Sequence, residues 1–364
     1  MASIPESFEN NNNNKNPISL DHIIPPDFKN ILKLPTSHIW TPSPDDHHPL
    51  TNNSEPVPIV DLASPDALAL TAKASEKWGI FHVTNHGIPV NLLSEVEVQT
   101  RKLFELPVSQ KLLAVRSPEG LTGYGLARMS PYFPKQMWHE GFTIMGSADH
   151  HARQLWPHGH HITFCTVMDE YQKQLKALTE RIIGLLFKSL GLTQDDVKWL
   201  KPKNGSITSQ AVLQLNSYPV CPDPGHAMGL APHTDTTLLT LLYQSNTSGL
   251  EVLDDSNGWV TVQPLPGALV VNIGDLMHII SNGRFKSVLH KAVVNQTHHR
   301  ISLAYFYGPP MDAKVSPAMK LVDPDHPPLY RPVTWKGYLD AKKKDFYKAL
   351  GSIKYDVNDK NECN

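Results

Sequence analysis

Between Ala211 and Tyr307 the chain is cut into short runs of β-branched and apolar residues separated by Gly, Pro and Asn, and that texture limits what the segment can become. The runs are Ala211–Leu215, Leu238–Tyr243, Trp259–Val262, Ala268–Ile273, His290–Val294 and Ile301–Tyr307. Each has the length of a strand and is bounded by turn formers, so a sandwich or jelly roll is the expected outcome. Ala231 to Leu242 reads as one extended stretch. In a strand alternate side chains share a face, so His233 and Asp235 project together while Thr234 points away. A lone H-x-D spacing proves little in a chain with 19 histidines, and the residues downstream decide its meaning.

Those residues are His290, in Ser287-Val288-Leu289-His290-Lys291, and then Arg300 and Ser302, in His299-Arg300-Ile301-Ser302. Two imidazoles and one carboxylate are the protein half of a facial triad that leaves positions open on non-haem Fe(II). The interval from His290 to Arg300 fits a strand, a tight turn and the start of the neighbouring strand. Arg300 and Ser302 then share a face, and a guanidinium fork beside a hydroxyl suits a carboxylate held in bidentate fashion. Two other classes use part of this set. A zinc hydrolase could employ the three ligands with water in the fourth place, but it leaves Arg300 and Ser302 without a task. A hormone-binding protein without turnover would have no need of an intact ligand set.

The ordered blocks Trp78-Gly79-Ile80-Phe81-His82-Val83-Thr84-Asn85-His86-Gly87-Ile88, Asn216-Ser217-Tyr218-Pro219-Val220-Cys221-Pro222, His233-Thr234-Asp235, His290 and Arg300-Ile301-Ser302 carry a resemblance. Through them, from about Pro56 to about Tyr338, the chain resembles the plant 2-oxoglutarate and Fe(II)-dependent dioxygenases. The resemblance implies a mainly β fold with flanking α-helices around a double-stranded β-helix, or jelly-roll, core, with the metal near one open end. It implies Fe(II) on His233, Asp235 and His290, and 2-oxoglutarate with its far carboxylate on Arg300 and Ser302. Tyr218 and Asn216 are the family-matched further partners of that carboxylate. O2 is the co-oxidant, ascorbate supports activity, and an unactivated C–H bond is hydroxylated while 2-oxoglutarate becomes succinate and CO2. From Ser217 to Val252 the chain is similar to the gibberellin 3-oxidase branch, which implies a rigid polycyclic acid as substrate. The Leu-Pro-Trp-Lys-Glu-Thr run of the 20-oxidases is absent. Ala231-Pro232-His233-Thr234-Asp235-Thr236 stands where the 2-oxidases usually carry Gly-Glu-His-Thr-Asp-Pro. Oxidation at another gibberellin position, or of a flavonoid-type metabolite, stays open.

For the substrate, Ser117 to Gly146 is rich in glycine and aromatics and suits a pocket wall or lid. Tyr124, Trp138 and Phe142 are its candidate wall residues, and Arg128 and Lys135 its candidate partners for the substrate carboxylate. The same aromatics could instead pack the outside of a barrel. Composition excludes some partners: 33 Lys and Arg against 35 Asp and Glu give a net charge of −2, no electrostatic case for nucleic acid or an anionic membrane. Apolar runs fall short of a membrane span, no secretory h-region opens the chain, and Cys165, Cys221 and Cys363 are scattered. A monomeric cytoplasmic enzyme is the expectation.

Four parts are expected along the chain. Residues 1–55, with the Asn10–Asn14 run and many prolines, read as a flexible leader on which Ile23-Ile24 and Ile31-Leu32 could touch the body. Residues 56–200 read as a mixed helical region, 201–310 as the catalytic core and 311–364 as a closing helical segment. Apolar spacing predicts helices over Pro65–Lys77, Val90–Leu106, Thr166–Leu190 and Thr334–Leu350. His150, His151, His158, His160 and His161, with Pro157 and Gly159, read as a solvated loop, and His86 as a turn histidine.

Overall fold

The computed structural model describes residues 20–41, 55–197 and 210–355. In chain order, β1 (Ile59–Asp61), α1 (Ala67–Lys77), β2 (Ile80–Thr84), α2 (Val90–Glu105) and α3 (Val108–Lys111) precede β3 (Gly123–Gly125), β4 (Glu140–Ile144), α4 (Asp149–Leu155) and α5 (His160–Ser189). Next come β5 (Gln210–Tyr218), β6 (Leu230–His233), β7 (Leu239–Gln244), β8 (Leu250–Asp254), β9 (Gly258–Thr261) and β10 (Leu269–Ile273). After α6 (Asp275–Ile280) follow β11 (His290–Ala292), β12 (Arg300–Gly308), β13 (Lys314–Val315), β14 (Val333–Thr334), α7 (Trp335–Lys344) and α8 (Ala349–Ser352).

Two sheets face each other as a jelly roll: an eight-stranded sheet in the order β1-β2-β10-β7-β12-β5-β4-β3, and a four-stranded sheet in the order β6-β11-β8-β9. Strand alternation sorts the side chains of the large sheet. Leu213, Leu215, Ile301, Leu303 and Tyr305 join the main core with Met168, Leu175, Ile182 and Leu186 of α5. The opposite face supplies Leu242, Val270 and Ala304, which pack with Leu250, Val252 and Val260 of the small sheet. Asn216, Tyr218, Arg300 and Ser302 alternate with core residues, and so occupy the inner face. No helix among the described residues is long and apolar enough to cross a membrane.

The structure corrects several expectations. Ala231 to Leu242 is not one strand: β6 ends at His233, the chain turns through 234–238, and β7 continues in the other sheet. His290 and Arg300 likewise lie on different sheets rather than on neighbouring strands. Within the expected leader, residues 20–41 form three short 3-10 turns that bury Ile23, Phe28, Leu34 and Trp40, while Leu32 stays exposed. The Asn10–Asn14 run lies outside the described residues. Strands β1 to β4 precede residue 200 yet belong to the large sheet, so that sheet crosses the division expected at 201.

The histidine-rich tract is mostly helical. His150 and His151 sit in α4, His160 and His161 open α5, and Pro157 and Gly159 interrupt only the short link between. The closing helix is broken after Lys344. His86 does sit in a turn, where its Nε2 bonds to the Gly267 carbonyl at 2.8 Å and its Nδ1 accepts the Ile88 amide at 3.1 Å.

Candidate metal and cosubstrate site

Although His233 and Asp235 leave a single strand, the corner after β6 brings them together again. The Asp235 carbonyl accepts the Asp275 amide at 2.7 Å, which ties the corner to the start of α6. His290 on β11 lies directly opposite His233 on β6. The Nε2 atoms of both histidines stand 3.7 Å from Asp235 Oδ1, and the three ligand atoms lie within 4.8 Å of one another. Among the described residues no other group of three or more such side chains converges in this way.

The donor chemistry fits a metal ion. His233 Nδ1 bonds to the Ala231 carbonyl at 2.8 Å, and His290 Nδ1 to the Val288 carbonyl at 3.2 Å. A carbonyl can only accept, so each Nδ1 carries the proton and each Nε2 keeps a lone pair facing Asp235. Burial, followed by the His290 imidazole, lowers the His233 pKa to about 3 against the pull of Asp235, which favours the neutral ligand form. Burial pushes the Asp235 carboxyl up, but His290, His233 and bonds from Thr240 and Asn272 outweigh it and hold it below the usual range.

On the facing sheet, Arg300 pairs with Tyr218 and Ser302 with Asn216 across β12 and β5. The Arg300 guanidinium lies 4.9 Å from the centre of the Tyr218 ring and is 2 % exposed. Its Nη2 donates to Gln244 Oε1 at 2.9 Å, whereas Nε and Nη1 are buried with no protein acceptor. A buried guanidinium with two unmet donors is unfavourable unless an anion completes it. A dicarboxylate bound between this fork and the His-Asp-His cluster would do so. Gly249 permits the arrangement, because a Cβ there would stand 2.7 Å from Arg300 Cδ. Asn216 Nδ2 donates to Ser302 Oγ at 3.4 Å, and Asn216 Oδ1 lies 3.0 Å from His139 Nε2.

The expected substrate residues fare differently. Tyr124 and Phe142 belong to the main core on the helix side of the large sheet. The Tyr124 hydroxyl donates to Glu140 Oε2 at 2.5 Å. Strand alternation therefore turns both away from the metal-facing side, the outer-packing role that aromatics of this segment could equally take. Lys135 is exposed and donates to the Thr36 carbonyl at 3.0 Å. Trp138 is fully buried in the cluster that also holds Tyr218, donates to the Pro219 carbonyl at 3.0 Å and packs edge-on against Phe28, with ring centres 4.7 Å apart. Arg128 is exposed. Met228, Phe133, Met137 and Phe346 form a buried apolar cluster with Ala231, two residues before His233 on β6. Phe346 follows α7, and sequence spacing could not have placed it there.

Sequence reading also missed the support of the His233–Asp235 corner. Asp275 is fully buried and accepts from Thr234 Oγ1 (3.0 Å), Ser287 Oγ (2.7 Å), Tyr338 OH (2.7 Å) and Lys342 Nζ (3.1 Å). Lys342 Nζ also donates to the Thr234 carbonyl and hydroxyl, both at 2.7 Å. The closing helix thus pins the residue between two candidate ligands. Lys342→Met leaves a buried carboxylate without its countercharge, and a loss of about 3 kcal/mol is expected together with roughly 10- to 100-fold weaker retention of iron. Thermal melts and Fe(II) titration check the two effects separately; iron retention equal to wild type would confine Lys342 to a folding role.

Two buried histidines, His38 and His139, predict acid sensitivity. Burial holds both near pKa 4 against an ordinary 6.5, so below pH 6.5 the unfolded chain binds more protons than the folded one. The stability they contribute is complete above pH 6.5 and is lost as pH falls towards 4. Melting temperature should drop across that window, and less steeply in His38→Gln; equal slopes would contradict the assignment.

With this geometry in place, comparison with known proteins identifies the class. Residues 209–309 match the 2OG-Fe(II) oxygenase superfamily, and residues 57–159 match the family described as non-haem dioxygenase in morphine synthesis, N-terminal. The chain belongs to the 2OG-Fe(II) oxygenase superfamily: it is a 2-oxoglutarate-dependent dioxygenase whose chemistry uses Fe(II), 2-oxoglutarate and O2. Among its relatives, gibberellin 3-beta-dioxygenase 3 of Arabidopsis thaliana is 50% identical over 96% of this chain and 99% of its own length. Gibberellin 3-beta-dioxygenase 1 of Pisum sativum is 46% identical over 100% of this chain and 98% of its own. Among solved structures, JOX2 in complex with 2OG, Fe and JA superposes with a TM-score of 0.73 at 34% identity, covering 85% of this chain and 89% of that one.

Proposed function

We propose that this dioxygenase hydroxylates gibberellin precursors at the 3β position. The observation that carries the chemistry is the buried Arg300 fork, with two unmet donors, set across the jelly roll from the His233, Asp235 and His290 cluster. What supports the substrate is likeness to gibberellin 3-beta-dioxygenases along nearly the whole chain. His233 and His290 would give Nε2 to the metal, each held in one tautomer by a backbone carbonyl, and Asp235 would give Oδ1. Bound there with 2-oxoglutarate, Fe(II) and O2 supply the oxidising power that replaces C–H by C–OH while 2-oxoglutarate leaves as succinate and CO2.

The chain's own work is positioning. Arg300 takes the far carboxylate through Nε and Nη1 while Gln244 fixes Nη2. Ser302 and Tyr218 add hydroxyls to the same end, and Asn216 holds Ser302. Leu242, Ala304 and Val252 keep the space between the sheets apolar, which excludes water from the oxidant's path. The substrate approaches from the side of His233, the most exposed of the three ligands.

The test is incubation of the purified enzyme with Fe(II), 2-oxoglutarate, ascorbate and gibberellin precursors that lack a 3-hydroxyl, with products assigned by mass spectrometry and NMR. The reading predicts 3β-hydroxylated product in step with succinate. Product oxidised at another carbon, or turnover of flavonoids in preference, would overturn it.

A further inference from the structure

One row of residues crosses the large sheet in register: Gly125 opposite Gly141, Gly141 opposite Asn216, Asn216 opposite Ser302 and Ser302 opposite Gln244. The Asn216 and Ser302 end is the 2-oxoglutarate anchor proposed above. Beyond Gly125 the sheet is extended by Val115, which bridges Tyr124 in parallel, and the Arg116 amide donates to the Tyr124 carbonyl at 2.8 Å. Tyr124 turns to the helix side, and Val115 pairs with it. Arg116, one residue on, therefore faces the side that carries Asn216 and Ser302. The two glycines between present no side chains of their own; Ile23 packs over Gly125, and His139 and Gln214 over Gly141.

Arg116 is 7 % exposed, yet among the described residues its guanidinium has no ion pair and no hydrogen bond. Other cations in the body have partners: Lys111 has Glu140 at 2.6 Å, and Lys342 has Asp275 at 3.1 Å. Arg116 faces a like charge instead. Burial, followed by the Arg128 guanidinium, lowers its pKa to about 10. His139 is buried with Nδ1 unpartnered, and the charges of Arg116 and Arg300 both reach it. A buried cation that has no ion pair and feels a second cation is the charge pattern of a site completed by an anion.

We propose that Arg116, with Arg128 at its outer side, receives the carboxylate of the organic substrate, so that the enzyme selects hydrophobic acids over their esters. The assignment rests on the reading of the substrate as an acid. It departs from Lys135, whose amine is already engaged at the surface. Asn216 and Ser302 serve one carboxylate at one end of the row, and Arg116 serves another at its far end.

The test is equilibrium binding without O2 to enzyme loaded with Fe(II) and 2-oxoglutarate. The probes are a gibberellin precursor lacking the 3-hydroxyl, jasmonic acid and indole-3-acetic acid, each as free acid and as methyl ester. Wild type should prefer the acid of whichever compound it binds. In Arg116→Gln the acid should weaken roughly 10- to 100-fold while the ester and 2-oxoglutarate are little changed, and Arg116→Lys should recover part of the loss. Arg128→Gln, at an exposed position, should lower the acid-to-ester ratio less, and it decides alone if Arg116→Gln does not fold. An acid-to-ester ratio equal to wild type in the folded variants overturns the assignment, as does a wild type that binds no acid in the panel or binds esters equally well. Preference for a non-gibberellin acid that is lost in Arg116→Gln would instead sustain Arg116 and remove the gibberellin reading.

Discussion

Asp235→Ala should abolish hydroxylation, with turnover reduced by more than the roughly 100-fold that losing a partner of a metal ligand costs. Asp235 Oδ1 is the point shared by the cluster, 3.7 Å from Nε2 of both histidines, and no other carboxylate among the described residues converges there. Its removal takes away the anionic ligand that offsets metal charge and leaves two neutral imidazoles. Iron should be lost in parallel with activity, as measured by metal analysis after desalting. The fold should survive, because the residue's side chain joins no apolar core and its backbone carbonyl bond to Asp275 is independent of the substitution. A folded Asp235→Ala enzyme that retains wild-type turnover would remove this aspartate from the metal site.

Arg300→Gln should raise the KM for 2-oxoglutarate about 100-fold and should, unusually, not weaken the ligand-free fold. Arg300 is buried with Nε and Nη1 unmet, and burial lowers its pKa against the pull of Tyr218, so in the free protein its charge is a burden on stability. Glutamine removes that burden. The two readouts therefore move in opposite directions: melting temperature of the free enzyme holds or rises, while 2-oxoglutarate affinity falls. A structural arginine would give a lower melting temperature and an unchanged KM.

The sequence made the chemistry legible further than it did the architecture. His233, Asp235, His290, Arg300 and Ser302 could be selected because few combinations of residue types serve one purpose, and the structure brings them to facing sheets. Their route there was misread. Alternation suggested one strand through His233 and Asp235, but the chain turns a corner between sheets, and only the backbone bond from Asp275 to Asp235 shows what holds that corner. Tyr124 and Phe142 were legible as aromatics but not as to side, since facing depends on the register of β3 and β4 against β5. Lys342 and Phe346 were hidden for another reason. Each lies over 100 residues from the β6 corner it supports, and no local pattern carries that contact.

If these residues hold Fe(II) and 2-oxoglutarate together, anaerobic titration shows it. Fe(II) and then 2-oxoglutarate are added to wild type, Asp235→Ala and Arg300→Gln, with the visible absorption of the iron–oxoacid chelate as the signal. Wild type should saturate near one equivalent of each, Asp235→Ala should form no chelate, and Arg300→Gln should form one only with far more 2-oxoglutarate. Metal binding that never becomes sensitive to 2-oxoglutarate, or a chelate that forms equally well in all three proteins, would contradict joint binding at these residues.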